Sequence, residues 1–223
     1  YKFELHQAIE KGILCPFKYY PLKVEFTSEE RKKRKNITGL WHASKKGEAP
    51  PMTEFEYRNR MAGIKKSAEN KTYVFADFIN KRPHLLSNSI VFCDTKEQAI
   101  SLGAFIHNHT TRFSFYFDEG VVMENLMRLG KDLDCVLSCH ILSEGIDIPC
   151  LENIFILASP SDRRETIQRI GRCLRVDKKN INKVANVIDF ICYNDIDSED
   201  ILLSDKDRMD WLIKDSKVRK KNG

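Results

Sequence analysis

The chain has 223 residues, enough for one large domain or for a domain with an accessory segment. With 42% hydrophobic and 31% charged residues it has the composition of a folded protein, which excludes an intrinsically disordered chain. A net charge of +5 leans basic without singling out nucleic acid as a partner, and no apolar run approaches the ~18 residues that a membrane span needs.

Seven cysteines, an odd number with no CxxC pair and no metal-ligand spacing, point to reduced thiols and a cytoplasmic location, or a nuclear one in a eukaryote. The opening YKFELHQAIE has no initiator Met, so the sequence reads as a piece of a longer polypeptide. In chain order, LHQAIEKG is a short amphipathic helix, YYPLKVEFT alternates like a strand, and Thr27-Ser28-Glu29-Glu30 starts a helix with acids in its first turn. From 31 to 53 a basic run, RKKRK, gives way to Gly, Pro and Lys, and the stretch is expected to be a mobile basic loop. RKKRK itself reads as a nucleic-acid contact, an import signal or a solvated helix face, and Trp41 and Tyr57 beside it as base-stacking or packing aromatics. Residues 54–82 are expected to form one long helix ended by Pro83.

From residue 88 the pattern changes. SIVFCDT, RFSFYFD, LDCVLSC, ENIFILAS and KVANVIDFI are near-continuous apolar runs, separated by KEQAISLGAFIHN, EGVVMENLMRLG and SDRRETIQRIGRCLR with helical periodicity. Apolar strands alternating with amphipathic helices specify βαβ units and a parallel sheet covered on both faces. The expected organisation is a connector or accessory region over 1–86, an α/β domain over 87–195, and a terminal helix with a basic tail over 196–223.

Two segments carry candidate chemistry, and ligands of an open parallel sheet sit at the carboxyl ends of its strands. HILSEGIDIP follows the third strand and IQRIGRCLR the fourth, so both lie on one rim. In the first, Gly145 permits a tight turn and Asp147 is a short carboxylate suited to accept from a ribose hydroxyl. In the second, Gln168, Arg172 and Arg175 share one helical stripe, opposite Ile167, Ile170 and Leu174. Gly171 costs a helix interior roughly 0.5–1 kcal/mol and so suggests a close approach to the backbone.

SIVFCDT, VLSCHILSEGIDIP and IQRIGRCLR resemble, in order and spacing, motifs IV, V and VI of superfamily II helicases and translocases. The likeness covers about 88–191, is to the second, RecA-like domain, and is nearest in flavour to restriction-enzyme and repair-type members. The lead-in over 3–27 and KSAENK resemble their joining segment. The resemblance implies that Arg172 and Arg175 are arginine fingers reaching an ATP γ-phosphate on a partner domain, with Gln168 ordering that face. It also implies that Asp147 contacts the ribose and that Gly145 allows the nucleotide side to approach. Ser138 and Cys139 would touch the nucleic-acid backbone, although Cys139 stands where Thr is commoner. Thr95, beginning the helix after the first strand, reads either as a plain N-cap or as a cap that also offers its backbone N–H to a phosphate.

No G-x-x-x-x-G-K-[ST] loop and no DExH-like acid pair occurs in these 223 residues, and no residue suggests itself as a metal ligand. ATP and Mg²⁺ are therefore expected on an amino-terminal RecA-like domain of the same parent, and DNA, or else RNA, is the expected track, with no membrane involved. The reading is a carboxyl-terminal motor half, inactive alone. Its rivals are an inert RecA-like binding module and the motor component of a restriction or repair nuclease.

Overall fold

A computed structural model of the chain describes residues 4–117, 126–139, 148, 150–158, 163–177, 180–195 and 200–219. Helix α1 spans Leu5–Glu10, strand β1 Phe17–Glu25, and helices α2, α3 and α4 span Ser28–Lys46, Glu54–Lys66 and Asn70–Lys81. A 3-10 turn at Pro83–Leu86 leads into β2 (Ser89–Phe92), α5 (Lys96–His107), β3 (Phe113–Tyr116), β4 (Cys135–Ser138) and β5 (Asn153–Ile156). Helix α6 (Arg163–Cys173), β6 (Ala185–Asp195), β7 (Asp200–Ile201) and α7 (Leu203–Ser216) complete the described elements.

The strands run β1-β6-β5-β2-β4-β3, all parallel, with β7 antiparallel on β6. Strands β2, β4 and β5 are buried throughout because helices cover both faces, while β3 at the sheet edge is half-buried, and successive side chains divide between two cores. Ile90 and Phe92 of β2, with Ile154 and Ile156 of β5, join Ile9, Ile170 and Leu174 on one face. Val91 and Phe155 join Phe75, Phe78, Leu102 and Ile106 of α4 and α5 on the other. This is the α/β architecture expected from the alternating pattern, and it is consistent with a RecA-like fold.

Three expectations are corrected. The region before residue 87 is not set apart from the sheet, because β1 pairs with β6 along its whole length. The stretch 31–53 is not a loop: α2 occupies 28–46 and only Gly47–Thr53 connects it to α3. A capping box starts α2, with Thr27 and Glu30 exchanging side-chain and backbone hydrogen bonds, and Gly47 ends it at φ 76°. Lys, Arg and Ala are good helix formers, so between two firm caps a charged run folds. Lastly, 54–82 is two helices, because the chain breaks at Ser67–Glu69, where Ala68 is fully buried.

A cluster of buried charge fastens α7 to the sheet. Arg208 grips Asp189 of β6 through Nε (2.8 Å) and Nη2 (3.2 Å) and reaches Asp205 through Nη1 (2.9 Å). Lys65 of α3 donates to Asp205 (2.9 Å), and the Tyr19 hydroxyl of β1 donates to Asp189 (2.9 Å). Two cations therefore match two carboxylates, as burial requires.

Candidate functional site

In a doubly wound sheet the ligand crevice opens where neighbouring strands send their connections in opposite directions. Here that point lies between β2 and β5. The chain leaves β2 towards β4 and β3, and leaves β5 towards β6. The amides of Leu157 and Ala158 both donate to the Phe92 carbonyl (3.1 and 3.0 Å), so the two strand ends are stitched together. Helix α6, with its arginines, follows β5, and α5 with its cap follows β2.

The three arginines of α6 do different things. Arg169 turns inward: Nη1 donates to the Ala158 carbonyl (2.6 Å), Nη2 to Glu165 (2.9 Å), and its guanidinium lies 4.7 Å from the Phe92 ring centre. It is a strut holding the helix to both strand ends. Arg172, in the last turn of α6, is only 8% exposed, so the stripe opposite Ile167, Ile170 and Leu174 is not an open one at this position. The helix is buried at Thr166, Arg169, Ile170, Arg172 and Cys173, more than one stripe, because it lies deep against the sheet. Arg175 stands just past the helix and is half-buried; its carbonyl accepts from Lys183 Nζ (3.0 Å), and the neighbouring Leu174 carbonyl accepts from the Cys15 amide (2.7 Å). Gln168 is exposed.

Gly171 lies between these side chains, yet a Cβ there would meet nothing of this chain within 4 Å. The domain's own packing therefore does not demand a glycine.

The remaining predicted residues separate. Thr95 caps α5, its hydroxyl accepting from the Gln98 amide (3.1 Å), and is exposed beside Asp94 in a hollow between α4 and α5. Ser138, ending β4, is fully buried, so its hydroxyl does not offer the surface phosphate contact expected of it. Cys139 is half-buried; burial, then Asp94 and Glu97, push its thiol up to about 11, leaving a neutral group at the rim. Gly145 and Asp147 lie outside the described residues. Among the described residues no group of His, Cys, Asp and Glu could hold a metal ion, and no helix is long and apolar enough to cross a membrane.

Arg169 as a strut and the buried Lys71 were missed from the sequence. Lys71 donates to the Leu157 carbonyl (2.5 Å), so two buried cations hold consecutive carbonyls at the end of β5. The spacing of Glu165 and Arg169 (i, i+4) was the available signal for the first. Lys71 ends the KSAENK stretch, but its role at β5 had no local signal, because the Leu157 carbonyl lies 86 residues away.

Residues 58–177 match the family of helicase conserved C-terminal domains. Among solved structures, the fold is similar to a fragment of a putative HsdR subunit of a type I restriction enzyme from Vibrio vulnificus YJ016, with TM-score 0.53 and 16% identity over 85% of this chain. It is also similar to the C-terminal part of the Fun30 ATPase domain, with TM-score 0.55 and 13% identity over 94% of this chain and 92% of that one. T4 UvsW gives TM-score 0.50 and 17% identity over 89% of this chain. The chain spans 34% of the restriction subunit fragment and 40% of UvsW. At these identities the likeness is one of fold. No curated protein matches the sequence.

Proposed function

Because the chain belongs to the family of helicase conserved C-terminal domains, with the fold of superfamily II members, we propose that it is the carboxyl-terminal motor half of an ATP-driven nucleic-acid helicase or translocase. ATP is the substrate in this reading, held with Mg²⁺ mainly by a domain outside these 223 residues. Arg172 and Arg175 are its contribution to the chemistry. A guanidinium is planar, permanently charged and forked, which suits it to charge developing on a transferring phosphoryl group. Arg169 is excluded from that role because Ala158, Glu165 and Phe92 occupy it.

The observation that carries the reading is Gly171. A helix at the switch point of the sheet keeps bare backbone between its arginines, and no atom of the described residues uses the space. A partner domain bearing a nucleotide is the occupant whose chemistry matches two adjacent guanidinium groups. Asp147 and Gly145 belong to the same proposal as ribose contact and approach point, and Gln168, exposed on α6, as an ordering residue.

The test uses the intact parent protein. Arg172→Gln and Arg175→Gln are expected to lower kcat for hydrolysis by roughly 10³-fold or more, with nucleic-acid affinity little changed. Since Arg172 is buried, each variant is also melted, and the result counts only where folding is retained. Undiminished kcat in a folded variant would overturn the assignment. The 223-residue chain alone is expected to show no Mg²⁺-dependent hydrolysis.

A further inference from the structure

The charge of this chain is not spread over its surface. Residues 28–66, the antiparallel pair α2 and α3 with its connection, hold 11 Lys and Arg against 5 Asp and Glu, a surplus of 6. The whole chain's surplus is 5, so everything outside the pair is close to neutral. The pair also adds almost nothing to either core: α2 has no buried residue, and α3 has only Lys65, at its last turn.

The root of the pair is firmly held. Arg31 bonds Glu25 (2.6 Å), Arg34 lies 4.7 Å from the Phe26 ring centre, and Glu30 accepts from the Glu69 amide (2.9 Å). Since α2 follows the carboxyl end of β1, the arm rises from the same rim of the sheet as α5 and α6. Along α2, Ile37, Trp41 and Ser44 form a half-buried stripe, with Trp41 stacked on Tyr57 of α3 (5.1 Å, 12°) and the Ser44 hydroxyl accepting from the Met52 amide of the connection (2.7 Å). On the opposite face Lys32, Lys35, Gly39, His42 and Lys46 recur at i+3 and i+4, all exposed. That row is about 21 Å long at 1.5 Å per residue. No acid occurs between Glu30 and Glu48. Gly39 sits in the middle of the row, and a Cβ there would meet nothing within 4 Å.

We propose that the α2–α3 arm is a second nucleic-acid contact, in which the Lys32–Lys46 face of α2 lies along the phosphate backbone of a DNA duplex and Gly39 lets that backbone approach the helix. The inference goes beyond the motor reading, since it draws on neither α6 nor a nucleotide. A duplex is a rigid rod with a charge about every 1.7 Å of its axis, and a straight row of cations on a rigid helix fits it. Single strands are held by aromatic platforms, and here Trp41 and Tyr57 are used up on each other, with Lys45 4.3 Å from the Trp41 ring centre. A membrane-surface helix needs an exposed apolar face, and that face of α2 packs against α3.

The test uses the 223-residue chain without nucleotide and a fluorescent duplex of about 30 base pairs, titrated by anisotropy over a range of salt. Lys32→Gln/Lys35→Gln/Lys46→Gln removes three exposed charges and no core contact. It is expected to weaken binding at fixed salt and to reduce the log–log salt slope by up to about 2.7, or about 0.9 per lost phosphate contact. A control with the same charge change elsewhere, Lys18→Gln/Lys131→Gln/Lys217→Gln, should leave the slope nearly unchanged. Gly39→Gln gives an independent readout: its melting temperature should hold or rise, because Gly is a poor helix former, while duplex affinity falls. Equal losses in the two triple variants would overturn the proposal, as would an unaffected Gly39→Gln. So would a wild-type chain that does not bind duplex at low salt, or one that polyglutamate strips from duplex at lower charge concentration than unlabelled duplex does.

Discussion

Arg169 and Arg172 are three residues apart on one helix and equally buried at 8% exposure, and Arg169 is tied to both strand ends. Its charged hydrogen bonds to Ala158 and Glu165 are of the kind worth about 1.5–3 kcal/mol each. Arg169→Ala should therefore cost at least about 2 kcal/mol of stability in urea unfolding. Arg169→Lys should recover only part, because a single ammonium cannot bridge two partners as a fork does. A variant as stable as wild type would show that the strut holds nothing. The thiols allow a second check at this scale. Cys15, Cys93, Cys135, Cys173 and Cys192 are buried, and burial raises the pKa of every one of the seven. A disulfide reagent at neutral pH should thus modify at most Cys139 and Cys150, slowly, and reach the other five only on unfolding. The motif that brought these arginines together was legible in the sequence, since spacing and residue type are local. Their separate roles were not, because Phe92, Ala158 and the depth of the groove come from distant parts of the chain.

At the scale of elements, the strands were readable because buried parallel strands have few alternatives to a continuous apolar run. Of α2 only the start was readable, and α3 only as part of one helix over 54–82, because little that is apolar marks an arm that adds almost nothing to either core; its caps and propensities make it helical. That contrast has a measurable consequence. Ile170 of α6 is fully buried in the core beneath the sheet, so Ile170→Ala should cost about 2–5 kcal/mol. Leu40 on α2 is 47% exposed and belongs to neither core, so Leu40→Ala should fall within about 0.5 kcal/mol of wild type. Comparable losses by the two variants in the same urea titration would mean that the arm is an integral part of the domain rather than an attachment to it.

For the whole molecule, the buried charges around α7 tie four separate stretches of chain into one unit: Tyr19 of β1, Lys65 of α3, Asp189 of β6, and Asp205 with Arg208. Asp205 also accepts from the Cys192 amide (2.9 Å), so both of its oxygens are engaged. Burial alone would raise its pKa, but Arg208, then Lys65 and these hydrogen bonds, outweigh that and hold it below the usual aspartate value. A carboxylate with a depressed pKa contributes stability that is fully present above its unfolded value of about 3.9 and lost as the pH falls through its folded value. Stability should therefore hold from neutrality down to about pH 4 and then decline, this group adding up to about 1.4 kcal/mol per pH unit to the slope. Asp205→Asn leaves Arg208 and Lys65 with half their counter-charge in a dry interior, a change of the class that costs about 3–5 kcal/mol. At pH 7 the variant should be less stable by about that amount, and below pH 4 its decline should be shallower, so that the two curves converge in acid. Parallel curves of urea stability against pH would show that Asp205 is not the group being titrated, and equal stability at pH 7 would show that the cluster does not bind α7 to the sheet.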